Sequence, residues 1–401
     1  MSVSVVIPTV GRASLAPLLD RLRAGALSGG AVGSGAVGGG AVGGGAVGGG
    51  GLGGDVEVLV VDDRRDRRVP LAVPAWVTVL EGRGLGPAAA RNTGWRAARH
   101  DWVAFLDDDV LPDPGWLDAL AADLAAAPDD CGGVQGTLRV PLPADRRPTD
   151  WERVTAGLAA GVWITADMAY RRAALARCGG FDERLPRAFR EDAELAFRVR
   201  RAGWSLHRGH RSVTHPVRPE GPWVSVRTQR GNADDALLRH LYGPEWRDHL
   251  GVPPGRRRRH AAITAAAVTA ATCTLAALLT GRRSTLDPAS AHPTPFTGWG
   301  DSTARVRQLR RAVHRRRADS VVRRGAWIAG ALAGAVWTAG TAEFAAARIA
   351  PGPRDPREVA VMLATSVAIP PVAVAHWLRG WWRWRGAVPV APAPFRAEAL
   401  R

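Results

Sequence analysis

Short apolar runs alternate with amphipathic segments through the first part of the chain. The runs are rich in β-branched residues and end at Pro, Asp or Gly, which is typical of buried strands. The segments carry Leu or Ala at helical spacing, and Pro87 suits a first helical turn. Strands that alternate with helices predict a largely parallel α/β sheet. The predicted strands are Val3–Ile7, Val56–Val61, Trp76–Leu80, Trp102–Leu106, Val134–Val140 and Trp163–Met168, and the predicted helices are Ser14–Arg23, Pro87–Arg99, Pro114–Ala127 and Arg190–Ala202.

Residues 28–54 interrupt this pattern with Ala-Val-Gly-Gly-Gly units that repeat every five residues. The few Val side chains bury too little apolar area to offset the entropy of ordering so many glycines. The segment is therefore predicted to be a disordered surface insert. A nucleotide-binding glycine loop is the alternative, but such loops are short and fixed in spacing.

Positive charge is concentrated in the C-terminal part of the chain. The net charge is +17, yet residues 1–255 hold 31 Arg against 30 acidic residues, whereas residues 256–401 hold 23 Arg against 7. This shift in composition predicts a domain boundary near residue 255. The chain has no Lys, and its three Cys lack the spacing of a zinc site or a disulfide framework, which indicates a reducing compartment.

Carboxylates follow two of the predicted strands, at Asp62-Asp63 and at Asp107-Asp108-Asp109. Ligands of parallel sheets bind beyond the carboxyl ends of the strands, where these side chains are expected. Adjacent carboxylates repel one another unless a cation neutralises them, and Mg²⁺ or Mn²⁺ prefers oxygen ligands. Strand alternation places Asp107 and Asp109 on one face and Asp108 on the other. A solvated acidic turn would explain the triplet alone almost as well.

The order of the motifs around these aspartates resembles the family 2 glycosyltransferases of the GT-A fold. The similarity covers roughly residues 1–250, and each motif falls where the strand and helix pattern requires it. In order, the motifs are Val-Val-Ile-Pro-Thr at 5–9, Val-Val-Asp-Asp at 60–63, Ala-Ala-Arg-Asn-Thr-Gly at 89–94, Phe-Leu-Asp-Asp-Asp at 105–109, Gly-Gly-Phe-Asp-Glu at 179–183 and Arg-Glu-Asp-Ala-Glu-Leu at 190–195.

The resemblance implies a donor site and a metal site. Asp109 would be the main ligand of Mn²⁺ or Mg²⁺, Asp107 would contact both the metal and the donor ribose, and His215 would be a third metal ligand, although a lone His is more often structural. Asp167 stands where many relatives have Asn, and this departure leaves the sugar open. The expected donor-binding residues are Pro8, Thr9, Asp62, Asp63, Arg91, Asp107 and Asp167.

Glu191-Asp192 stands where this family has its catalytic base. The resemblance assigns the role to Asp192, with Glu191 as the close alternative. Such a base accepts the proton of an acceptor hydroxyl, and a single displacement inverts the anomeric configuration. The alternative is that the two acids only favour a helix N-terminus through its dipole.

The tail from 256 to 401 contains apolar stretches at 261–280, 326–350 and 359–378. The last two are long enough to cross a bilayer, and the Arg clusters around them predict a transmembrane hairpin with both ends cytosolic. The charges of Glu343 and Arg348 in the first of these two stretches and Pro370-Pro371 in the second argue against such a hairpin. A soluble helical bundle is the alternative. The stretch 261–280 is predicted to be an interfacial or packed helix.

The sequence thus predicts a GT-A domain at 1–255, Rossmann-like with a mostly parallel sheet, and an α-helical, membrane-associated tail at 256–401. The expected function is inverting transfer of a sugar from a UDP-, GDP- or dTDP-linked donor to a lipid-linked or cell-envelope glycan, with a cytoplasmic catalytic domain at the cell membrane. The alternatives are a sugar nucleotidyltransferase and a non-catalytic membrane- or nucleic-acid-binding protein. Because the basic charge lies in the tail, nucleic acid is not expected as a partner.

Overall fold

The computed structural model describes residues 2–29, 56–285 and 302–390. The chain divides into two compact units. The first comprises Met1–Val224, Arg230–Pro254 and His376–Arg401, and the second comprises Ser225–Gln229 and Gly255–Ala375. The predicted Gly-rich insert lies outside the described residues except for its first two positions, which end a helix.

The first unit is built on one eight-stranded sheet with the strand order β3-β2-β1-β4-β7-β6-β8-β5. The pairs β3-β2, β2-β1, β1-β4 and β6-β8 are parallel, and the pairs that involve β7 or β5 are antiparallel. The predicted α/β fold is therefore confirmed, and the sheet is mixed, with four parallel and three antiparallel pairs. The strands are β1 (Val3–Thr9), β2 (Val56–Asp62), β3 (Thr78–Glu81), β4 (Trp102–Leu106), β5 (Leu111–Pro112), β6 (Cys131–Arg139), β7 (Asp167–Arg171) and β8 (Ser205–Thr214).

Helices cover both faces of this sheet. One apolar core lies between the sheet and the helices that follow β1 and β5. The second core lies between the sheet and three helices, which follow β3, β7 and the 187–190 loop. Strands buried on both faces explain the continuous apolar runs of β1 and β4. The helices of this unit are α1 (Leu15–Gly29), α2 (Pro87–Ala97), α3 (Trp116–Ala125), α4 (Asp150–Ala156), α5 (Arg172–Cys178), α6 (Glu191–Arg201), α8 (Asn232–Tyr242) and α9 (Trp246–His249), and α7 (Val224–Arg227) begins at its boundary.

The strand predicted at Trp163–Met168 begins four residues later than expected, because β7 starts at Asp167. Trp163 adopts a left-handed backbone with φ of 64°, which no strand accommodates. Its N–H donates to the side chain of Gln135 on β6 instead of to a backbone carbonyl of that strand. The apolar residues before Asp167 therefore form a loop that packs on the sheet.

The second unit is helical, as predicted for the tail. It contains α10 (Arg257–Thr285), α11 (Ser302–Ile349) and the part of α12 (Pro356–Arg383) that precedes His376. Within the described part of the chain, Arg257–Gly281 and Pro356–Arg383 are long and apolar enough to cross a membrane. The predicted span 359–378 lies in the second of these helices, and the stretch 261–280 lies in the first.

Two charged residues of α11 have partners inside this unit. Glu343 accepts hydrogen bonds from Arg256 and Arg259. Arg348 is buried and donates to the hydroxyls of Thr365 and Ser366 at 2.8 and 3.1 Å. The two charges that argue against a span at 326–350 are thus both satisfied by protein groups.

Candidate active site

Three parallel strands end side by side and place their following residues at one edge of the sheet. β1 lies between β2 and β4, and Thr9 is in register with Asp62. Of the predicted site residues, Thr9 and Asp62 end β1 and β2, Asp63 follows β2, and Asp107 and Asp109 follow β4. This edge is where open α/β sheets bind ligands.

The three carboxylates after β4 point to three different partners. Asp107 accepts a hydrogen bond of 2.7 Å from Arg91 and keeps 27% of its side chain exposed. Asp108 is buried and accepts from Thr9 Oγ1 at 2.6 Å and from Arg12. The backbone N–H of Gly11 in turn donates to Thr9 Oγ1 at 2.9 Å. Asp108 therefore anchors the loop after β1.

Asp109 faces a basic loop that follows β8. Its Oδ1 lies 3.6 Å from His215 Nε2, and its Oδ2 lies 3.1 Å from Arg218 Nε. Burial and the negative charge of Asp107 raise the pKa of Asp109, and the two basic side chains oppose this. Trp151 Nε1 donates to the Arg218 carbonyl at 3.0 Å and so fixes the backbone of the loop.

Arg91 joins the donor side of the site to the predicted catalytic carboxylates. It is fully buried on α2, and its Nη2 and Nη1 donate to Asp107 at 2.7 Å and to Glu191 at 2.9 Å. Its carbon Cζ also lies 5.5 Å from the centre of the Phe181 ring. Within the part of the chain that the structure describes, Arg91 Nε and Glu191 Oε2 are buried and find no hydrogen-bond partner. Such orphaned polar atoms are costly and are often found at functional sites.

Glu191 and Asp192 occupy the first turn of α6, where the helix dipole favours negative charge. Burial and the charge of Asp192 raise the pKa of Glu191, and Arg91 opposes this. Burial also raises the pKa of Asp192, and the charge of Asp107 adds to the shift. Asp192 is half-buried as a residue, whereas Glu191 is buried and its carboxylate is held by Arg91.

A cavity of about 670 Å³ opens between the ends of β1 and β2, the β3–α2 loop and Pro186. Asp63 shapes it, because its two carboxylate oxygens accept from the N–H groups of Gly84 and Gly86 at 2.7 and 2.8 Å. The full lining is Val10, Asp63, Arg64, Arg65, Asp66, Gly84, Leu85, Gly86 and Pro186. Its volume lies within the range of small-molecule binding sites, roughly 300–1,000 Å³.

Several predicted donor residues are engaged by the protein itself. Asp62 is held by a bidentate Arg64 at 2.8 and 2.7 Å, which lowers the pKa of Asp62. Pro8 is buried inside β1. Asp167 lies on β7 and is 2% exposed, where it accepts from Trp116 Nε1 at 3.0 Å and from Arg211 Nε at 2.7 Å. The structure does not bring Asp167 together with the cavity residues.

The predicted metal ligands meet in pairs. Asp109 and His215 are adjacent, and Asp107 and Asp109 are close enough for their charges to interact. Among the described residues, no three His, Cys, Asp or Glu side chains form a group that could hold a metal ion. The oxygen-rich donor set nevertheless fits a cation that takes one or two carboxylates and completes its shell with substrate phosphates.

Sequence reasoning missed two contacts of the site. Arg12 and Arg218 each pair with one of the aspartates after β4. Each Arg lies a few residues from a predicted site residue, Thr9 or His215, in a loop that the sheet topology brings to the same edge. Their positions follow from the tertiary fold and carry no signal of their own in an Arg-rich chain.

Residues 4–154 match the sequence model of the family described as glycosyl transferase family 2. Over 172 residues the chain is 31% identical to the pre-mycofactocin glycosyltransferase of Mycobacterium tuberculosis, a match that covers 39% of this chain and 36% of that protein. The chain therefore spans about a third of this relative. A shorter match, 32% identical over 75 residues, covers 17% of this chain and 8% of the hyaluronan synthase of Pasteurella multocida.

Among solved structures, the glucosyl-3-phosphoglycerate synthase of M. tuberculosis in complex with Mn²⁺, UDP and phosphoglyceric acid aligns with a TM-score of 0.38 at 16% identity, over 63% of this chain and 80% of that one. S. aureus TarS aligns with a TM-score of 0.33 at 17% identity, over 62% of this chain and 42% of that one.

Proposed function

We propose that the protein transfers a sugar from a nucleotide-sugar donor to an acceptor hydroxyl, with inversion at the anomeric carbon; the match of residues 4–154 to glycosyl transferase family 2 supports the transfer of a sugar. The observation that carries the proposal is the Asp107–Arg91–Glu191 chain. It joins the carboxylates after β4 to those that begin α6 through one buried guanidinium. A donor bound at the first group and a base at the second would thereby be held in fixed geometry.

The nucleoside of the donor enters the cavity between β1, β2 and the β3–α2 loop. Asp63 accepts hydrogen bonds from Gly84 and Gly86 and so fixes one wall of the cavity. The backbone groups next to this wall contact the base and the ribose. Asp107 keeps an exposed carboxylate surface that faces the donor. Pro8 and Thr9 contribute indirectly, by positioning the loop after β1. Thr9 donates a hydrogen bond to Asp108 and thereby fixes the start of this loop.

Asp109 and Asp107 would hold a divalent cation, Mn²⁺ or Mg²⁺, with His215 beside Asp109. The cation, when bound, neutralises charge that develops on the departing nucleoside diphosphate. Arg218 Nε forms an ion pair with Asp109 Oδ2 at 3.1 Å, and 41% of the Arg218 side chain is exposed. Its guanidinium is therefore free to turn from Asp109 to the diphosphate when the donor arrives, and guanidinium groups suit phosphate oxygens.

Asp192 is the catalytic base. The acceptor oxygen bonds to the anomeric carbon as the bond to the diphosphate oxygen breaks, and the hydroxyl proton passes to Asp192. Glu191 is less suited because Arg91 holds one of its oxygens at 2.9 Å and the side chain is buried. The pKa of Asp192, raised by burial, brings this carboxylate closer to the proton affinity that a base requires.

The acceptor is a lipid-linked or cell-envelope glycan, presented at the cytoplasmic face of the cell membrane. Among the described residues, two helices are long and apolar enough to span a bilayer. Trp377, Trp381, Trp382 and Trp384 stand with Arg379, Arg383 and Arg385 at the end of α12, a composition typical of a membrane interface. Transfer at this surface would bring the site to an acceptor anchored in lipid.

The test is to screen UDP-, GDP- and dTDP-sugars with the full-length protein by thermal shift and by nucleoside diphosphate release, with and without Mn²⁺. One donor should raise the melting temperature by mass action and should turn over only with the metal. Asp109→Ala should abolish the Mn²⁺ dependence and most of the turnover. Asp20→Ala, which changes an exposed carboxylate on α1, should match the wild type.

Undiminished turnover by Asp109→Ala would refute the metal site. Release of pyrophosphate instead of a nucleoside diphosphate would point to a nucleotidyltransferase. If no donor binds, and residues 256–401 account for all binding to membranes or nucleic acid, the enzyme proposal fails. The chain would then be a non-catalytic binding protein.

A further inference from the structure

The loop that leads into the catalytic carboxylates has an unusual backbone. Arg190, the residue before Glu191, adopts φ of 75° and ψ of −15°, in the left-handed region that side-chain-bearing residues rarely occupy. Among the described residues only Trp163 shares such a φ without being Gly. A conformation of this kind persists where surrounding contacts impose it, and it is common at functional sites.

Two successive acids of α8 hold this loop. Arg187 Nη1 donates to both oxygens of Asp234, at 2.7 and 2.9 Å. Arg190 Nε donates to Asp235 Oδ1 at 3.4 Å, and the other oxygen of Asp235 accepts from Arg247. Both aspartates are buried, so solvent screens these pairs only weakly.

Packing fixes the same loop from a second direction. The guanidinium of Arg190 lies 4.3 Å from the centre of the Phe189 ring. Phe189 packs so closely on Gly231, at the start of α8, that a Cβ there would come within 2.7 Å of the ring. On the other side, a Cβ at Gly86 would approach the Pro186 carbonyl to 2.1 Å. The loop is thus clamped between α8 and the wall of the donor cavity.

We propose that Asp234 and Asp235 are positioning residues, which set the catalytic carboxylates of α6 by fixing the left-handed loop through Arg187 and Arg190. The first hydrogen bond of α6 runs from Glu194 N–H to the Arg190 carbonyl at 2.9 Å, so the backbone at Arg190 determines where the helix begins. Glu191 and Asp192 follow directly, and a rotation at Arg190 moves both. The two acids touch neither substrate nor metal in this account.

The inference rests on the proposed function, and the experiment separates the two. Full-length wild type, Asp235→Asn, Arg190→Ala and the double variant are compared with Asp248→Asn, an exposed acid on α9. Each is assayed for kcat, donor KM and the pH dependence of kcat, with rates normalised to the fraction of protein that binds donor. If wild type and Asp248→Asn do not turn over any donor, the proposed function fails, whatever the other variants do.

If the wild type is active, Asp235→Asn should lower kcat by roughly ten- to a hundred-fold, because displacements of about 1 Å near reacting groups have effects of this size. The donor KM should stay at its wild-type value, and the acid limb of the kcat profile should move. The double variant should be no slower than Arg190→Ala alone, since both remove the same tether. Arg190→Ala leaves the Asp235–Arg247 pair in place, so it tests the proposal even if Asp235→Asn fails to fold.

A normalised kcat that is unchanged in Arg190→Ala would overturn the proposal. So would additive losses in the double variant, because they would mean that Asp235 acts through Arg247 and the general stability of the unit.

Discussion

Replacing Arg91 by Gln should destabilise the first unit strongly, because it leaves a buried carboxylate without its cation. Arg91 and Glu191 each expose only 2% of their side chains, whereas Asp107 exposes 27%. Water can therefore solvate Asp107 after the change but cannot reach Glu191. Breaking a buried pair by removing one partner costs about 3–5 kcal/mol. Because Glu191 already has a raised pKa and can take up a proton instead, the lower end of that range is expected.

A loss of about 3 kcal/mol corresponds to a melting temperature lower by roughly 6–12 °C for a unit of this size. Differential scanning calorimetry of the full chain measures it directly. Arg96→Gln is the matched control on the same helix, because its side chain is 52% exposed and its pair with Glu183 is 3.6 Å long. This control should change stability by less than about 1 kcal/mol.

A second change tests the cause of the Arg91 effect. Adding Glu191→Gln to Arg91→Gln removes the orphaned charge, so the double variant should be more stable than Arg91→Gln alone. A melting temperature for Arg91→Gln within about 2 °C of wild type would refute the reasoning, because it would mean that the buried pair contributes almost nothing.

Three further outcomes follow from the geometry. Asp108→Asn should weaken donor binding about tenfold, or ~1.4 kcal/mol by calorimetric titration, because it releases the β1 loop held through Thr9 and Arg12; unchanged affinity would argue against that anchor. Gly86→Ala should destabilise the protein more than Gly115→Ala, because both glycines have positive φ but only a Cβ at Gly86 meets a backbone oxygen, at 2.1 Å; equal melting temperatures would contradict this. Because the pKa of Asp192 is raised, the folded state binds this proton more tightly than the unfolded chain. The free energy of unfolding should therefore fall as the pH rises from the unfolded pKa through the folded pKa. Asp192→Asn should flatten this slope in urea titrations at several pH values.

The parallel half of the fold follows from the sequence because its strands are apolar runs buried on both faces. β1, β2 and β4 begin and end within two residues of the predicted positions. The strand after residue 160 was displaced because the apolar residues from Trp163 onward pack as a loop, and a left-handed turn at one residue leaves no signal in the pattern. The short β5 depends on pairing with β8, a partner about a hundred residues away, which local periodicity does not reveal.

The site shows the same division between local pattern and tertiary contact. Strand alternation predicted different surroundings for Asp107 and Asp108, and the two side chains pair with different residues, Arg91 and Arg12. It could not show that Arg91 bridges Asp107 and Glu191, since these residues come from three separate elements. The environment of Asp167 was equally hidden, because Arg211 and Trp116 reach it from β8 and α3. Its donor role, like the roles of Asp192 and Asp109, remains a prediction for experiment.

The most direct test of the proposed reaction compares Asp192→Asn with the wild type. With the preferred donor saturating, Mn²⁺ present and an acceptor added, the rate of nucleoside diphosphate release is measured for both, and donor affinity is measured by titration. The account predicts unchanged donor affinity and a rate reduced by about 10²–10⁴-fold, the size of a lost general base. Equal rates for the two proteins would contradict it.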